Sequence, residues 1–392
     1  MSQRLRGLPV LLGSALLGLV FFGFVLGATV GKESIYKYLN VFAEVYTLVR
    51  GNYVDPVDEN SLLDGAYHGM VGGLDPFSGF LGKDEFQAMQ KDPIGGPADT
   101  GVEVLKGPGG AVVVAVRAGS EADKAGLKTG DQIWAMDGTP SRQLCLAQMR
   151  RAQRGTEGSV ARLLIYHPRS QKREELKLHR TVAASPAFES RVVEGKIAYL
   201  KILDLARSDR DSLKSALASL KQKGATRLLL DIRNCPSGGV DDAVRVAGLF
   251  VPPGAVTFVQ ERGGARVAKA STTQAVWSLP ISVLENAGSA GGTEVLSSAL
   301  RARVKAQLLG ETTYGLGSTQ DLVPLPSGDG LVLSAAKLVS PDGQSWNKSG
   351  LKPDKEIAST AEERAGTEPD LQLQKALDML KPAPAAAAPK AA

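Results

Sequence analysis

Hydrophobic positions recur at three- and four-residue intervals from Tyr38 to Val49 and again from about Ser61 to Val71, predicting two helices near the start of the chain. Ahead of them, residues 7–31 carry no charged side chain. Leu74-Asp75-Pro76-Phe77-Ser78 breaks the helical spacing with a turn, Lys83 to Gln90 resumes it, and Pro93-Ile94-Gly95-Gly96-Pro97 reads as a linker. From Gly101 to about Arg180 the pattern changes to short β-rich runs separated by glycine turns. These are Val102–Leu105, Ala111–Val116, Gln132–Met136 and Ala161–Tyr166, with a helix over Leu144 to Gln153. Beyond Arg191 strand and helix alternate, as in an α/β domain. Strands are expected at Ile197–Leu203, Arg227–Ile232, Pro280–Leu284 and Ala306–Leu309, and helices at Asp211–Lys223, Asp241–Phe250 and Gly292–Ala302. The final residues, 381–392, are an Ala/Pro tract without a packing pattern.

The uncharged run at 7–31 is long enough to span a hydrocarbon core, and Arg4 and Arg6 precede it. It predicts a single-pass segment in the cytoplasmic membrane, or a signal-like leader, with the bulk of the chain on the extracytoplasmic (periplasmic) side. Composition narrows the chemistry further. A net charge of +5 over 392 residues and 5% aromatic content do not describe a nucleic-acid partner. Two cysteines and three histidines leave little material for a zinc module or a histidine-based triad, so no metal and no cofactor is expected. The basic residues between Arg142 and Arg180 read as a solvated face. Cys145 and Cys235 are far apart in sequence, and nothing in the pattern requires them to pair.

Residues 118–140, with Ala125-Gly126-Leu127, Thr129-Gly130-Asp131 and Asp137-Gly138 in order, resemble a PDZ domain of the circularly permuted bacterial kind. The resemblance implies peptide binding by strand addition, with Gly101, Val102 and Val104 at the carboxylate loop and groove strand.

Three later blocks resemble the carboxy-terminal processing (tail-specific) proteases, a family of serine–lysine peptidases. They are Leu230-Asp231-Ile232-Arg233-Asn234-Cys235-Pro236-Ser237-Gly238-Gly239, Asn286-Ala287-Gly288-Ser289-Ala290-Gly291-Gly292-Thr293-Glu294, and Leu309-Gly310-Glu311-Thr312-Thr313-Tyr314-Gly315-Leu316-Gly317-Ser318-Thr319-Gln320. Asn52-Tyr53-Val54-Asp55-Pro56, Leu74-Asp75-Pro76 and Gly350-Leu351-Lys352-Pro353-Asp354 add to the match, which covers roughly residues 35–380.

The resemblance implies a nucleophilic serine at Gly291 and a general-base lysine at Leu316, 25 residues apart as in the family. Glycine has no nucleophile and leucine cannot exchange a proton, so the dyad chemistry has no bearer at either position. The glutamine after the base position is retained as Gln320, and the oxyanion-type positions fall on Gly238 and Gly292, with Ser237 altering the element. Ser289 is the one candidate substitute nucleophile, and helix capping is its ordinary alternative. Cys235 has no identifiable base beside it.

The expected architecture is a tail-specific-protease-type α/β core with an inserted PDZ-like domain, a helical N-terminal region and a single N-terminal transmembrane helix. Its segments are 1–31 (anchor or signal-like), 32–96 (helical region and linker), 97–182 (PDZ-like), 183–380 (α/β core) and 381–392 (disordered tail). The expected function is a catalytically degenerate pseudoprotease that binds protein C-terminal tails or extended peptides without cleaving them, as an adaptor or in association with an active family member. Two other readings are an active serine-type endopeptidase with a rearranged site and a structural component of an envelope complex.

Overall fold

A computed structural model describes residues 35–360 and 369–381. The chain divides into a unit ending at Tyr67 and a unit beginning at His68. In the first, residues 35–52 are helical, and Arg50 and Tyr46 both engage Glu59, through an ion pair of 2.9 Å and a hydrogen bond of 3.0 Å.

One expectation is corrected here. Among the described residues no helix is long and apolar enough to cross a membrane. The helix at 35–52 carries Lys37, Glu44 and Arg50, charges that a hydrocarbon core would not solvate. The expected span at 7–31 and the expected tail beyond Lys381 lie outside the described residues. The single-pass membrane location therefore has no element among the described residues to carry it.

The second unit is organised around a six-stranded sheet in the order Phe188–Val193, Ile197–Ile202, Arg227–Asp231, Ile281–Glu285, Gln307–Gly310 and Lys355–Glu356. All neighbours run parallel except the first pair. Side chains alternate between two apolar layers, as the strand period requires. Ala198, Leu200, Ile202, Leu228, Leu230 and Val283 pack with helices Arg210–Gln222, Val240–Ala247 and Gly292–Val304. Ile197, Tyr199, Leu229, Leu284 and Leu309 pack with helix Leu371–Leu380. Burial on both faces explains why Leu228-Leu229-Leu230 is continuously apolar rather than alternating.

A second sheet joins Gly79–Leu81, Gly330–Val339, Gly254–Glu261 and Arg266–Ser271, with Ser318–Pro324 also paired to Gly330–Val339. A third is built from Val102–Gly107, Gly110–Val116, Gln132–Met136, Val160–His167 and Lys172–His179, all antiparallel. Val102–Gly107 and Lys172–His179 are its two edges. Helix Leu146–Ala152 begins later than the spacing predicts because Ser141–Gln143 forms a 3-10 turn and Cys145 takes the N-cap position. Both cysteines are buried and free.

The apolar layer behind the main sheet is closed by charge. Asp231 is fully buried and receives the Tyr199 hydroxyl at 2.8 Å and the Arg233 guanidinium at 2.7 Å. Burial alone would raise the Asp231 carboxyl, yet Arg233 beside it holds it below the usual range. Arg233 also grips Asp370 at 2.7 Å and Gln372 at 2.9 Å, fixing the start of the last helix. Arg233→Ala would strand the buried Asp231 charge. We expect a loss of about 3–5 kcal/mol in urea unfolding, with premature exposure of residues 371–380 in hydrogen exchange.

Candidate functional site

Three loops leave the C-terminal ends of neighbouring parallel strands, the usual place for a ligand site in an open α/β sheet. The first follows Asp231 and leads into helix Val240–Ala247, the second follows Glu285 into helix Gly292–Val304, and the third follows Gly310 into strand Ser318–Pro324. The three motif blocks singled out from the sequence are these loops.

Side-chain hydrogen bonds lock them together. Asn286 Oδ1 accepts the Asn234 and Gly288 amides, each at 3.0 Å, and Asn286 Nδ2 donates to Asn234 Oδ1 at 2.8 Å. The Thr293 hydroxyl donates to the Cys235 carbonyl at 2.9 Å. The buried Glu294 carboxyl accepts the Gly291 amide at 2.9 Å, the Gly315 amide at 2.7 Å and the Thr313 hydroxyl. Burial pushes Glu294 up to about 7, against the pull of those donors.

Gly291 and Leu316 do meet. A β-carbon on Gly291 would stand 3.2 Å from Leu316 Cδ2 and 3.4 Å from the Gly238 carbonyl oxygen. Leu316 is buried in an apolar cluster with Phe77, Leu105, Leu146 and Ala290. The Gly291 backbone has φ 65° and ψ −116°, a sharp strand-to-helix turn that side-chain-bearing residues rarely adopt.

Gly238 and Gly292 are also adjacent, but not as a pair of free donors. The Gly292 amide donates to the Gly238 carbonyl at 3.1 Å, so one expected donor is spent on the other position's oxygen. Gln320 Nε2 turns to the Ser318 carbonyl at 3.1 Å and hydroxyl at 3.0 Å.

Ser289 is fully buried, with its hydroxyl donating to the Ile232 carbonyl at 2.9 Å and accepting the Asn286 amide at 3.2 Å. It closes the loop rather than the helix, whose N-cap is Gly291, so the capping expectation is corrected. Its hydroxyl proton is committed to a backbone carbonyl, with no titratable acceptor on it. Burial pushes the Cys235 thiol up to about 12, which leaves no thiolate near neutral pH. Of the groove positions, Val102 and Val104 are buried within their own sheet, and Gly101 has φ 82° at the head of the strand. Among the described residues no cluster of His, Cys, Asp and Glu could hold a metal ion.

Two residues at the site escaped sequence reasoning. Arg150 belongs to the basic stretch expected to face solvent, yet its Nη2 donates to the Pro236 carbonyl at 2.8 Å. Its position four residues after buried Leu146, hence on the same helix face, was the available signal. Glu103 is pushed up to about 7 by burial, with Arg150 opposing the rise. The Tyr314 hydroxyl, meanwhile, reaches the Lys106 carbonyl at 2.7 Å on the edge strand of the third sheet.

The fold agrees with that of known proteins. Residues 196–357 match peptidase family S41, and residues 27–85 match the N-terminal domain of the activating protease CtpB. A carboxyl-terminal-processing protease of Picosynechococcus sp. is 29% identical over 313 residues, covering 78% of this chain and 76% of that protein. The carboxy-terminal processing protease CtpA of Bacillus subtilis is 26% identical, covering 79% and 67%. The solved structure of a photosystem II D1 C-terminal processing protease superposes with a TM-score of 0.62 at 25% identity, over 81% of this chain and 92% of that one. Residues 196–357 thus form a peptidase family S41 domain with its α/β fold, and the chain is similar to carboxy-terminal processing proteases over about four fifths of its length.

Gly291→Ala should be less stable by about 1–3 kcal/mol in urea unfolding, because the turn conformation is strained for any side chain. An unchanged midpoint would contradict the described geometry.

A pH dependence follows from Glu285, which ends the second strand and is fully buried. Its Oε2 accepts the Ser297 hydroxyl, Oε1 has no hydrogen-bond partner, and burial pushes the group up to about 8. Because the folded value lies above the unfolded one, the stabilisation is complete below about pH 4.5 and is lost as pH rises through about 8. Glu285→Gln should flatten the fall in unfolding free energy across that interval, as measured by denaturant titrations at several pH values.

Proposed function

We propose that the chain is a pseudoprotease of its family, which binds protein C-terminal tails or extended peptide segments and does not cleave them. The observation that carries the reading is Leu316 packed against Gly291, an apolar contact at the two positions where the family resemblance puts amine and hydroxyl. In serine hydrolases, losing the nucleophile or the base alone removes on the order of 10⁶ in turnover. The Gly292–Gly238 hydrogen bond adds to this, since a backbone amide spent on a carbonyl cannot stabilise an oxyanion. The relatives named as proteases retain an activity that this chain has lost in our reading.

Residues 97–182 serve in this proposal as a PDZ-like peptide-binding domain. Support comes from strand Val102–Gly107, which lies at a sheet edge beside helix Leu146–Ala152 and shares the buried cluster of Val104 and Met149 with it. With Val102 and Val104 facing inward, a partner segment would be held by main-chain hydrogen bonds at that edge. Arg150 and Tyr314 then link the peptide-binding elements to the loops of the former catalytic cleft.

The purified chain should bind an unstructured, internally quenched peptide and leave it intact over hours. Hydrolysis by the natural protein that Ser289→Ala abolishes would refute the proposal. In the Gly291→Ser/Leu316→Lys double variant, cleavage absent from both single variants would show that only the reacting groups were lost.

A further inference from the structure

One end of the third sheet is fastened by side chains rather than by main chain. The ladder between Gln132–Met136 and Val160–His167 stops at the Gln132–Tyr166 pair, and one residue further on Asp131 and His167 continue it. His167 Nδ1 lies 3.0 Å from Asp131 Oδ2, and Nε2 lies 2.9 Å from Glu174 Oε1. Glu174 stands opposite Ile165 on the edge strand Lys172–His179, so it reaches the imidazole diagonally across the hairpin. One ring thus spans three segments: the turn at Lys128–Asp131, its own strand and the edge strand. Lys172, the direct cross-strand partner of His167, is the other charged side chain on this face of the edge strand, and Lys128 and Arg169 belong to the adjoining turns.

A ring set between two carboxylates donates to both only as imidazolium, because the neutral ring has a single N–H. The two acids differ in what else holds them. Asp131 is 8% exposed and its Oδ2 also accepts the Lys128 amide at 2.8 Å, whereas Glu174 is 48% exposed. Loss of the proton therefore leaves the N–H with Asp131, the less hydrated acid, and turns the Nε2 lone pair toward the Glu174 carboxylate, which water can solvate instead. Burial works against the imidazolium, but the bonds to Glu174 and Asp131 outweigh it and hold the group above the ordinary histidine value of 6.5. The bond to Glu174 is thus complete below about pH 6.5 and is lost as pH rises through the raised folded value.

We propose that His167 is a proton-operated clamp on the edge strand Lys172–His179, closed by the imidazolium in acid and released at its Glu174 end in base, while the turn at Asp131 stays fixed. The released segment includes Arg173, whose guanidinium lies 4.3 Å from the centre of the Trp134 ring, so opening also loosens the cover on that aromatic. The device needs no ligand and stands apart from the peptide-binding reading. It makes the outer strand of this sheet responsive to pH while the strands within keep their main-chain pairing.

The test is hydrogen exchange of the full chain at about pH 5.5 and about pH 8. Protection factors are corrected for intrinsic exchange and referenced to the Leu228–Leu230 amides of the main sheet, so that a change in global stability cancels. Protection of residues 172–175 should fall roughly two- to fivefold in base, the range of a partly exposed ion pair, and that of residues 128–131 should hold. Glu174→Gln, whose amide accepts from the charged ring and donates to the neutral one, should abolish the fall. His167→Phe should show the same low protection at both pH values, and urea midpoints identify a variant that fails to fold. An undiminished fall in either folded variant overturns the clamp. So does equal protection of the natural edge strand at both pH values, or a loss at 128–131 that matches the loss at 172–175.

Discussion

The buried Glu294 carboxyl is the constraint on which the shape of the cleft depends. It joins the turn at Gly291 to the loop at Thr313 and Gly315, while the Asn286–Asn234 bonds join the second loop to the first. A carboxyl group with three donors inside an apolar domain stabilises one loop arrangement and penalises alternatives, since any loop shift leaves a buried polar atom unpaired. None of these bonds uses a side chain of residue 291 or 316. The form of the cleft therefore does not rest on those two side chains, and Leu316 packs as an ordinary core residue.

Much of the main sheet was legible because strands buried on both faces leave continuous apolar runs and their helices leave 3.6-residue spacing. The Arg227–Asp231 and Ile281–Glu285 strands and the helix at Gly292–Val304 lie within a residue or two of where the pattern puts them. The second sheet was largely illegible. Its strands expose one face, and bulges at Ala255/Thr257 and Thr319/Gln320 shift the two-residue period midway. A periodicity that changes phase inside a strand does not look like a strand. Lys172–His179 was hidden for a related reason, having so many charged residues that no apolar face stands out.

The site divides in the same way. Motif order aligned Gly291 and Leu316 with two family positions, and in the structure a β-carbon on Gly291 would stand 3.2 Å from Leu316 Cδ2. Sequence could not reveal that the Gly292 amide would turn onto Gly238, nor that Arg150 would leave a solvated basic stretch to reach Pro236. Both depend on backbone direction and on contacts between segments some 50 to 90 residues apart, for which local spacing holds no record.

The third sheet treats its two edges differently. Lys172–His179 presents Lys172, Arg173, Glu174, Glu175 and Lys177, so a like strand docking there would bring several charges into poorly hydrated contact. Such an edge resists runaway sheet extension between copies of the chain. The opposite edge has no comparable guard, and its residues come from the valine-rich run at Val102–Leu105. The sheet is thereby polar in the sense of a one-ended filament: charge closes one margin to an added strand, and no such row of charge stands at the other.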